Sequence, residues 1–253
     1  MNALKLRAAT GVGTHQGHVR DHNEDGWFVS EEQGLWAVAD GMGGHDKGEW
    51  ASAAVVGELG RLLLEGGFED CCHEIAGALH NANAVIRQEA ATTGKQMGTT
   101  TVVLFVREQQ FAVLWVGDSR AYLLRAGVLH QLSRDHTQVQ EMVDLGMLTE
   151  AEAHVHPMRH VLARAIGVSS EVQVDVILDE VETGDTFLLA SDGLHCCVAD
   201  DAIARTLAGP SLEVVTSELV NQSLEQGAPD NVTVVAVRFR EATVPVLEGG
   251  GDQ

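Results

Sequence analysis

Positive charge is what this chain has least of: Lys and Arg number 16 against 37 Asp and Glu, a formal charge of −21. A surface of that sign repels phosphate backbones and anionic lipid, which argues against nucleic-acid and membrane partners. Long apolar runs are missing as well. None approaches the ~20 residues a membrane helix needs, and the opening "MNALKLRAAT" lacks the apolar core of a secretory signal. A soluble, cytoplasmic protein is expected. Cysteine is sparse and poorly spaced for zinc or redox work: Cys71-Cys72 and Cys196-Cys197 are adjacent pairs, and neither is C-x-x-C. They are expected to be reduced core residues, with a thiol role for Cys196 or Cys197 as the alternative because of where those two fall.

What the chain does have is a globular composition, with 253 residues, 45% of them apolar and 21% charged. A single domain is expected over residues 1–240, followed by a mobile tail over 241–253, "EATVPVLEGGGDQ", which has little periodicity. Strands are expected at "LWAVA" (35–39), "TTVVLFV" (100–106), "FAVLWVG" (111–117), "TFLLA" (186–190) and "VTVVAVRF" (232–239). Only "REQQ" separates the second from the third, so those two should form an antiparallel hairpin. Helices are expected over Gly48 to Leu64, Asp70 to Ala91, Asp200 to Leu207 and Leu212 to Gln226. Strands group with strands and helices with helices, the pattern of antiparallel sheets with helices packed outside them. Residues 137–167 read as a small helical excursion, with a helix ending at Gly146 and a capping box starting at Thr149.

Acidic residues recur where apolar strands stop: Asp40 after "LWAVA", Asp118 after "FAVLWVG", Asp192 after "TFLLAS" and Asp230 just before the last strand. Turn chemistry accounts for any one of them. The repetition of strand, aspartate and small residue is what singles them out. Carboxylates converging on one sheet edge would repel one another unless cations neutralised them, and hard divalent ions with oxygen ligands suit that role. Zinc would want His or Cys. "HQGHVRDH" (15–22) does not set His15 and His18 on a helix, so those histidines read as surface or hydrogen-bonding groups. "VRDHNED" (19–25) adds Arg20, whose planar fork suits two oxygens of a phosphate.

The glycines of "VADGMGGHDKGE" (38–49) raise a competing idea, a phosphate-cradling nucleotide loop. It fails at specific residues. Lys47 stands between Asp46 and Gly48, where a P-loop requires Gly-Lys-Ser/Thr, and Asp46 occupies the third glycine of G-x-G-x-x-G.

Taken in order, "RDHNED", "VADGMGG", "GTT" (98–100), "GDSR" (117–120), "LSRDHT" (132–137), "SDG" (191–193) and "DN" (230–231) resemble the bacterial members of the metal-dependent PPM, or type 2C, protein serine/threonine phosphatases. The resemblance runs from about Gly11 to Phe239. It implies an α+β fold, a four-layer αββα sandwich of two antiparallel β-sheets flanked by helix pairs. It also implies two Mn²⁺ or Mg²⁺ ions at one end, with a third, weaker site. By motif, Asp40 bridges both ions and Gly41 offers its carbonyl to the second. Asp192 and Asp230 bind the first, Glu24 and Asp25 serve the second directly or through water, and Asp118 serves the third. Arg20 binds the phosphate, Thr99 and Asn231 support the site, and 137–167 is the flap beside it.

The implied reaction is direct attack of a metal-bridging hydroxide on the phosphorus of phosphoserine or phosphothreonine, without a phosphoenzyme. The C-x₅-R loop of cysteine phosphatases is absent, since Val198, Ala199 and two acids follow Cys196-Cys197. One departure concerns the proton. Eukaryotic members carry His after the Asp-Gly pair, whereas this chain has Met42. Metal-held water is then the expected general acid, with His45 as the alternative. The implied partners are phosphorylated proteins, among them a bacterial Ser/Thr protein kinase and its substrates, acted on by a monomer. Two other functions were weighed. A regulatory or interaction module of the same fold would usually lack a ligand aspartate, and Asp40, Asp192 and Asp230 are all present. A two-metal nuclease is opposed by the charge of −21.

Overall fold

The computed structural model describes residues 6–44 and 46–241. His45 and the tail beyond residue 241 lie outside them. The described residues build two antiparallel sheets. The first runs β1 (Leu6–His15), β11 (Val232–Glu241), β10 (Thr186–Ala190), β7 (Arg120–Arg125) and β8 (Val128–Gln131). The second runs β2 (Asp25–Ser30), β3 (Leu35–Met42), β5 (Thr101–Arg107), β6 (Gln110–Val116) and β9 (Asp175–Glu180), with the two-residue β4 (Gly98–Thr99) paired to the end of β3.

The expected strands are legible because both of their faces are buried. In β3, Leu35, Ala37 and Ala39 pack toward α1 (Asp46–Gly60) and α2 (Phe68–Thr93), while Trp36 and Val38 point between the sheets. β5 divides the same way, with Val103 and Phe105 on the helix side and Val102 and Leu104 between the sheets. On the other sheet, Val235 and Val237 of β11 face inward, and Val234 and Ala236 face α6 (Asp200–Leu207) and α7 (Leu212–Glu225). Three hydrophobic layers therefore separate four layers of secondary structure, the αββα sandwich. The apolar stretches run unbroken because alternation has no polar side to show. At roughly 1.5–3 kcal/mol for each buried Val, Leu or Phe, these layers dominate the favourable side of folding.

The hairpin between β5 and β6 is present, turning through Glu108 at φ 57°. α1 begins at Asp46 and stops at Gly60, and α2 extends to Thr93, closed by Gly94 at φ 66°. β1, β2, β7, β8 and β9 were not anticipated. β1 carries little apolar bulk because α7 lies directly on it. A side chain at Gly11 would stand 2.5 Å from the Leu212 carbonyl oxygen, and one at Gly13 would stand 2.9 Å from that of Thr216. In the excursion, α3 (Gln138–Asp144) and α4 (Glu150–His154) form as expected, and the Thr149–Glu152 capping box has both of its hydrogen bonds. Backbone bridges Thr137–Leu162 and Thr99–Ile166 fasten the segment beside one end of the sandwich.

No helix among the described residues is long and apolar enough to cross a membrane. The cysteine expectation needs correction. Cys71 is buried, but Cys196 is exposed, because it ends the one-turn helix α5 (Asp192–His195) on the side that faces solvent.

Candidate active site

The ladder between β2 and β3 sets Asp25 directly opposite Asp40. Cross-strand partners project from the same face, so two carboxylates meet here by register alone. β10 ends next door at Ala190, and Asp192 opens α5 after the intervening Ser191. Asp230 and Asn231 precede β11, and Asp118 lies between β6 and β7. The edges of both sheets thus converge on a cleft of about 660 Å³. Its lining includes Arg20, Glu24, Asp40, Gly41, Asp118, Asp192 and Asp230, together with His160, Arg164 and Cys196.

Backbone contacts hold these side chains in place. The Asp40 carbonyl accepts from the Thr99 hydroxyl and the Thr100 N–H, each at 2.9 Å, and the Asp40 N–H donates to the Thr100 hydroxyl at 3.3 Å. Ser191 Oγ donates to Asp25 Oδ2 at 2.8 Å and accepts from the Thr233 N–H at 2.9 Å. Asn231 does the most. Its amide donates to the carbonyls of Gln16 and His22 at 2.8 and 2.9 Å, and its oxygen accepts the Glu24 N–H at 2.8 Å. One side chain thereby pins the whole loop that carries Arg20 and Glu24. Arg20 Nη2 donates to Asp230 Oδ2 at 2.6 Å, and its side chain is 55% exposed, open to a further anion.

Two glycines make room. A Cβ at Gly41 would stand 2.1 Å from the Gly48 carbonyl oxygen and 2.5 Å from that of Glu24, so only glycine lets β3 pass this close to α1. At Gly48 a Cβ would stand 1.9 Å from Glu24 Oε2, so the bare helix start is the seat of the Glu24 carboxylate. Gly43 and Gly44 follow at φ 142° and 74°.

The electrostatics of the cluster are unfavourable without a counter-charge. Burial, then the charges of Asp192 and Asp230, push the Asp25 carboxyl up to about 7. Burial and Asp230 push Asp192 up to about 6. Asp40 is held well above the usual carboxylate range by burial and by Asp25, Asp192 and Asp118, and Asp118 by burial and Asp192. Asp25 Oδ1 and Asp192 Oδ1 are both buried without a hydrogen-bond partner. Orphaned carboxylate oxygens in a cluster of carboxylates fit hard, oxygen-seeking divalent cations.

The residues singled out in the sequence therefore come together, His45 aside, which lies outside the described residues. Met42 lines the cleft, its methyl 2.7 Å from where a Gly98 Cβ would stand, and a thioether has no ionisable proton to give. His15 accepts the Gly17 N–H at 3.0 Å, a hydrogen-bonding histidine. Sequence reasoning missed Ser191 as the holder of Asp25, and it missed His160, whose Nδ1 lies 3.9 Å from Asp192 Oδ2. The Ser-Asp-Gly triplet was the available signal for Ser191. His160 had none, because only the folded excursion brings it to the cleft. Burial and the charge of Asp192 push the Cys196 thiol up, which leaves it a poor nucleophile.

Residues 12–227 match the protein phosphatase 2C family. The serine/threonine protein phosphatase PstP of Mycobacterium tuberculosis is 37% identical over 252 residues, covering 97% of this chain but 48% of PstP, so the chain spans about half the length of that relative. The serine/threonine phosphatase stp of Listeria monocytogenes is 35% identical over 88% of this chain and 93% of its own length. The catalytic domain of PstP in complex with two manganese ions superposes with a TM-score of 0.85 at 33% identity, over 94% of this chain and all of that one.

Proposed function

This chain belongs to the protein phosphatase 2C family, and on that premise we propose that it is a metal-dependent protein serine/threonine phosphatase that hydrolyses phosphoserine and phosphothreonine. The observation that carries the proposal is the convergence of Asp25, Asp40, Asp118, Asp192 and Asp230 at one end of the sandwich, with two buried oxygens unpartnered. Asp40, Asp192 and Asp230, with the Gly41 carbonyl, would hold two Mn²⁺ or Mg²⁺ ions. Glu24 and Asp25 would complete the second ion's surroundings, and Asp118 would serve a third, weaker one. When bound, such ions supply Lewis acidity, lowering the pKa of water in the cleft and offsetting charge on phosphate oxygens.

The protein's own groups do the remaining work. Arg20 keeps one guanidinium edge on Asp230 and offers the rest of its fork to the phosphate. Three hydrogen bonds fix the Asp40 backbone, the point from which its carboxylate projects into the cleft. Attack on phosphorus is direct: an oxygen–phosphorus bond forms from water, the bond to the Ser or Thr oxygen breaks, and that oxygen takes up a proton. Neither Ser191 nor Cys196 is poised to form a phosphoenzyme, because Ser191 Oγ is engaged by Asp25 and Thr233 and the Cys196 thiol is pushed up. The physiological substrates would be phosphoproteins, including a Ser/Thr kinase and its targets, met by a monomer.

The test is hydrolysis of p-nitrophenyl phosphate and of a phosphothreonine peptide by purified protein with Mn²⁺ and then with EDTA. Activity that ignores EDTA, or none with any metal, overturns the proposal. The latter result would favour a regulatory module of the same fold.

A further inference from the structure

We propose that His160, Asp192 and Cys196 form a further cation site, sharing Asp192 with the carboxylate cluster and selective for a borderline or soft transition metal such as Zn²⁺, through which that metal inhibits the enzyme. Cys196 Sγ lies 3.8 Å from His160 Nδ1, which lies 3.9 Å from Asp192 Oδ2, and the three donor atoms fall within 4.8 Å of one another. Tetrahedral zinc with ordinary bond lengths would set sulfur and nitrogen about 3.6 Å apart and nitrogen and oxygen about 3.3 Å apart. The sulfur–nitrogen and nitrogen–oxygen spacings exceed these by well under an ångström, and the sulfur–oxygen spacing lies within 4.8 Å, so the three donors must draw together to close on an ion.

The local structure accounts for the grouping. Asp192 begins α5 and Cys196 is its C-cap, four residues on, so one helical turn stacks carboxylate and thiol on the same face. His160 arrives from the excursion, where the Val161 N–H bonds the Met158 carbonyl at 3.0 Å and the Thr137–Leu162 bridge anchors the next residue. Its side chain is 46% exposed, so a cation has an entry path. Arg159, next in the chain, opposes a cation, whereas Asp192, Asp118 and Asp230 favour one.

Ligand chemistry separates this site from the carboxylate cluster. A set of one sulfur, one nitrogen and one oxygen is poor for Mg²⁺ or Mn²⁺ and good for Zn²⁺, with the fourth position left to water. Binding converts the Cys196 thiol to thiolate and releases its proton to solvent. Occupation has two consequences. It ties the excursion to the cleft floor through His160, and it engages the Oδ2 of Asp192. The second consequence rests on the reading above, in which Asp192 serves the hard cations. Zn²⁺ would then compete with Mn²⁺ rather than with the phosphorylated substrate.

Co²⁺ tests the site without relying on turnover, because thiolate–cobalt charge transfer in the near ultraviolet reports sulfur ligation directly. Metal-free protein should develop that absorption as Co²⁺ is added and lose it on adding Zn²⁺ or excess Mn²⁺. Cys196→Ser should abolish it, His160→Gln should weaken Co²⁺ binding at least tenfold, and Cys197→Ser should retain it. In assays with p-nitrophenyl phosphate, Zn²⁺ inhibition should be relieved by excess Mn²⁺ and should need at least tenfold more Zn²⁺ in Cys196→Ser. No absorption in the parent protein, or absorption that survives Cys196→Ser, overturns the proposal. Absorption in a protein inactive with every metal would leave this site standing and sink the phosphatase reading instead.

Discussion

Asp25 and Asp40 face each other across the β2–β3 ladder as direct partners, two acids where a strand pair usually sets compatible side chains. Like charges so placed destabilise the cation-free protein. Asp25→Asn removes one charge and keeps an oxygen able to accept from Ser191. In EDTA at pH 8 the variant should melt about 2–4 °C higher, the response to ~1 kcal/mol in a protein of this size. With Mn²⁺ its phosphatase activity should fall at least tenfold. An unchanged or lower melting temperature in EDTA would contradict the repulsion.

The same carboxyls fix a pH dependence. In the folded chain Asp25 titrates at about 7 and Asp192 at about 6, both above the unfolded value. A raised carboxyl adds stability that is fully present below the unfolded value and disappears as pH climbs through the folded one. Cations must displace those same protons. The rise in melting temperature produced by Mn²⁺ should therefore be small at pH 5.5 and grow through pH 6 to 8. Comparing thermal scans with Mn²⁺ and with EDTA at each pH cancels the opposing contribution of His195, which burial lowers to about 3. A gain independent of pH would exclude these carboxyls as ligands.

Gly48 matters for what lies above it. Gly48→Ala places a methyl 1.9 Å from Glu24 Oε2 and 2.9 Å from the Gly41 carbonyl carbon, so the flexible Glu24 side chain should swing away and the Gly41 backbone should be nudged. The Mn²⁺ concentration for half-maximal activity should rise roughly 10- to 100-fold, the usual result of disturbing a group around a metal. Turnover at saturating Mn²⁺ should recover. Unaltered Mn²⁺ dependence would remove Glu24 from the second ion's surroundings.

With Met42 after the Asp-Gly pair, the leaving oxygen needs another proton source. Water in the cleft is expected to supply it, so His45→Ala should keep turnover within about tenfold. A general acid is worth about 10²–10⁴ in rate. A loss of that size with Mn²⁺ binding intact would move the role to His45.

Much of this arrangement was readable before any coordinates. β3, β5, β6, β10 and β11 announce themselves because two hydrophobic layers claim alternate residues of each. The aspartates at their ends follow from that reading. β1 was silent, because Gly11 and Gly13 replace bulk with room for α7. β9, an edge strand, was hidden by the acids at its two ends, Asp175, Asp179 and Glu180, which leave only three apolar residues between them. Asn231 could be named but not explained, since its three partners, Gln16, His22 and Glu24, lie more than two hundred residues away. His160 was beyond reach for a similar reason. Its neighbours Asp192 and Cys196 are chosen by the docking of the excursion, which no local pattern encodes.

The clamp at Asn231 also orders events during synthesis. Translation delivers Gln16, His22 and Glu24 early, yet the side chain that gathers them arrives only at residue 231, beside the strand that pairs with β1 from Leu6 to His15. Until residues 230–241 have left the ribosome, the loop bearing Arg20 lacks its Asn231 clamp and the first strand lacks its ladder partner. Contacts of such long separation also form slowly. A nascent chain stalled before Asp230 should therefore neither retain Mn²⁺ nor cleave a phosphoester. On this ordering, competence arrives with the last strand.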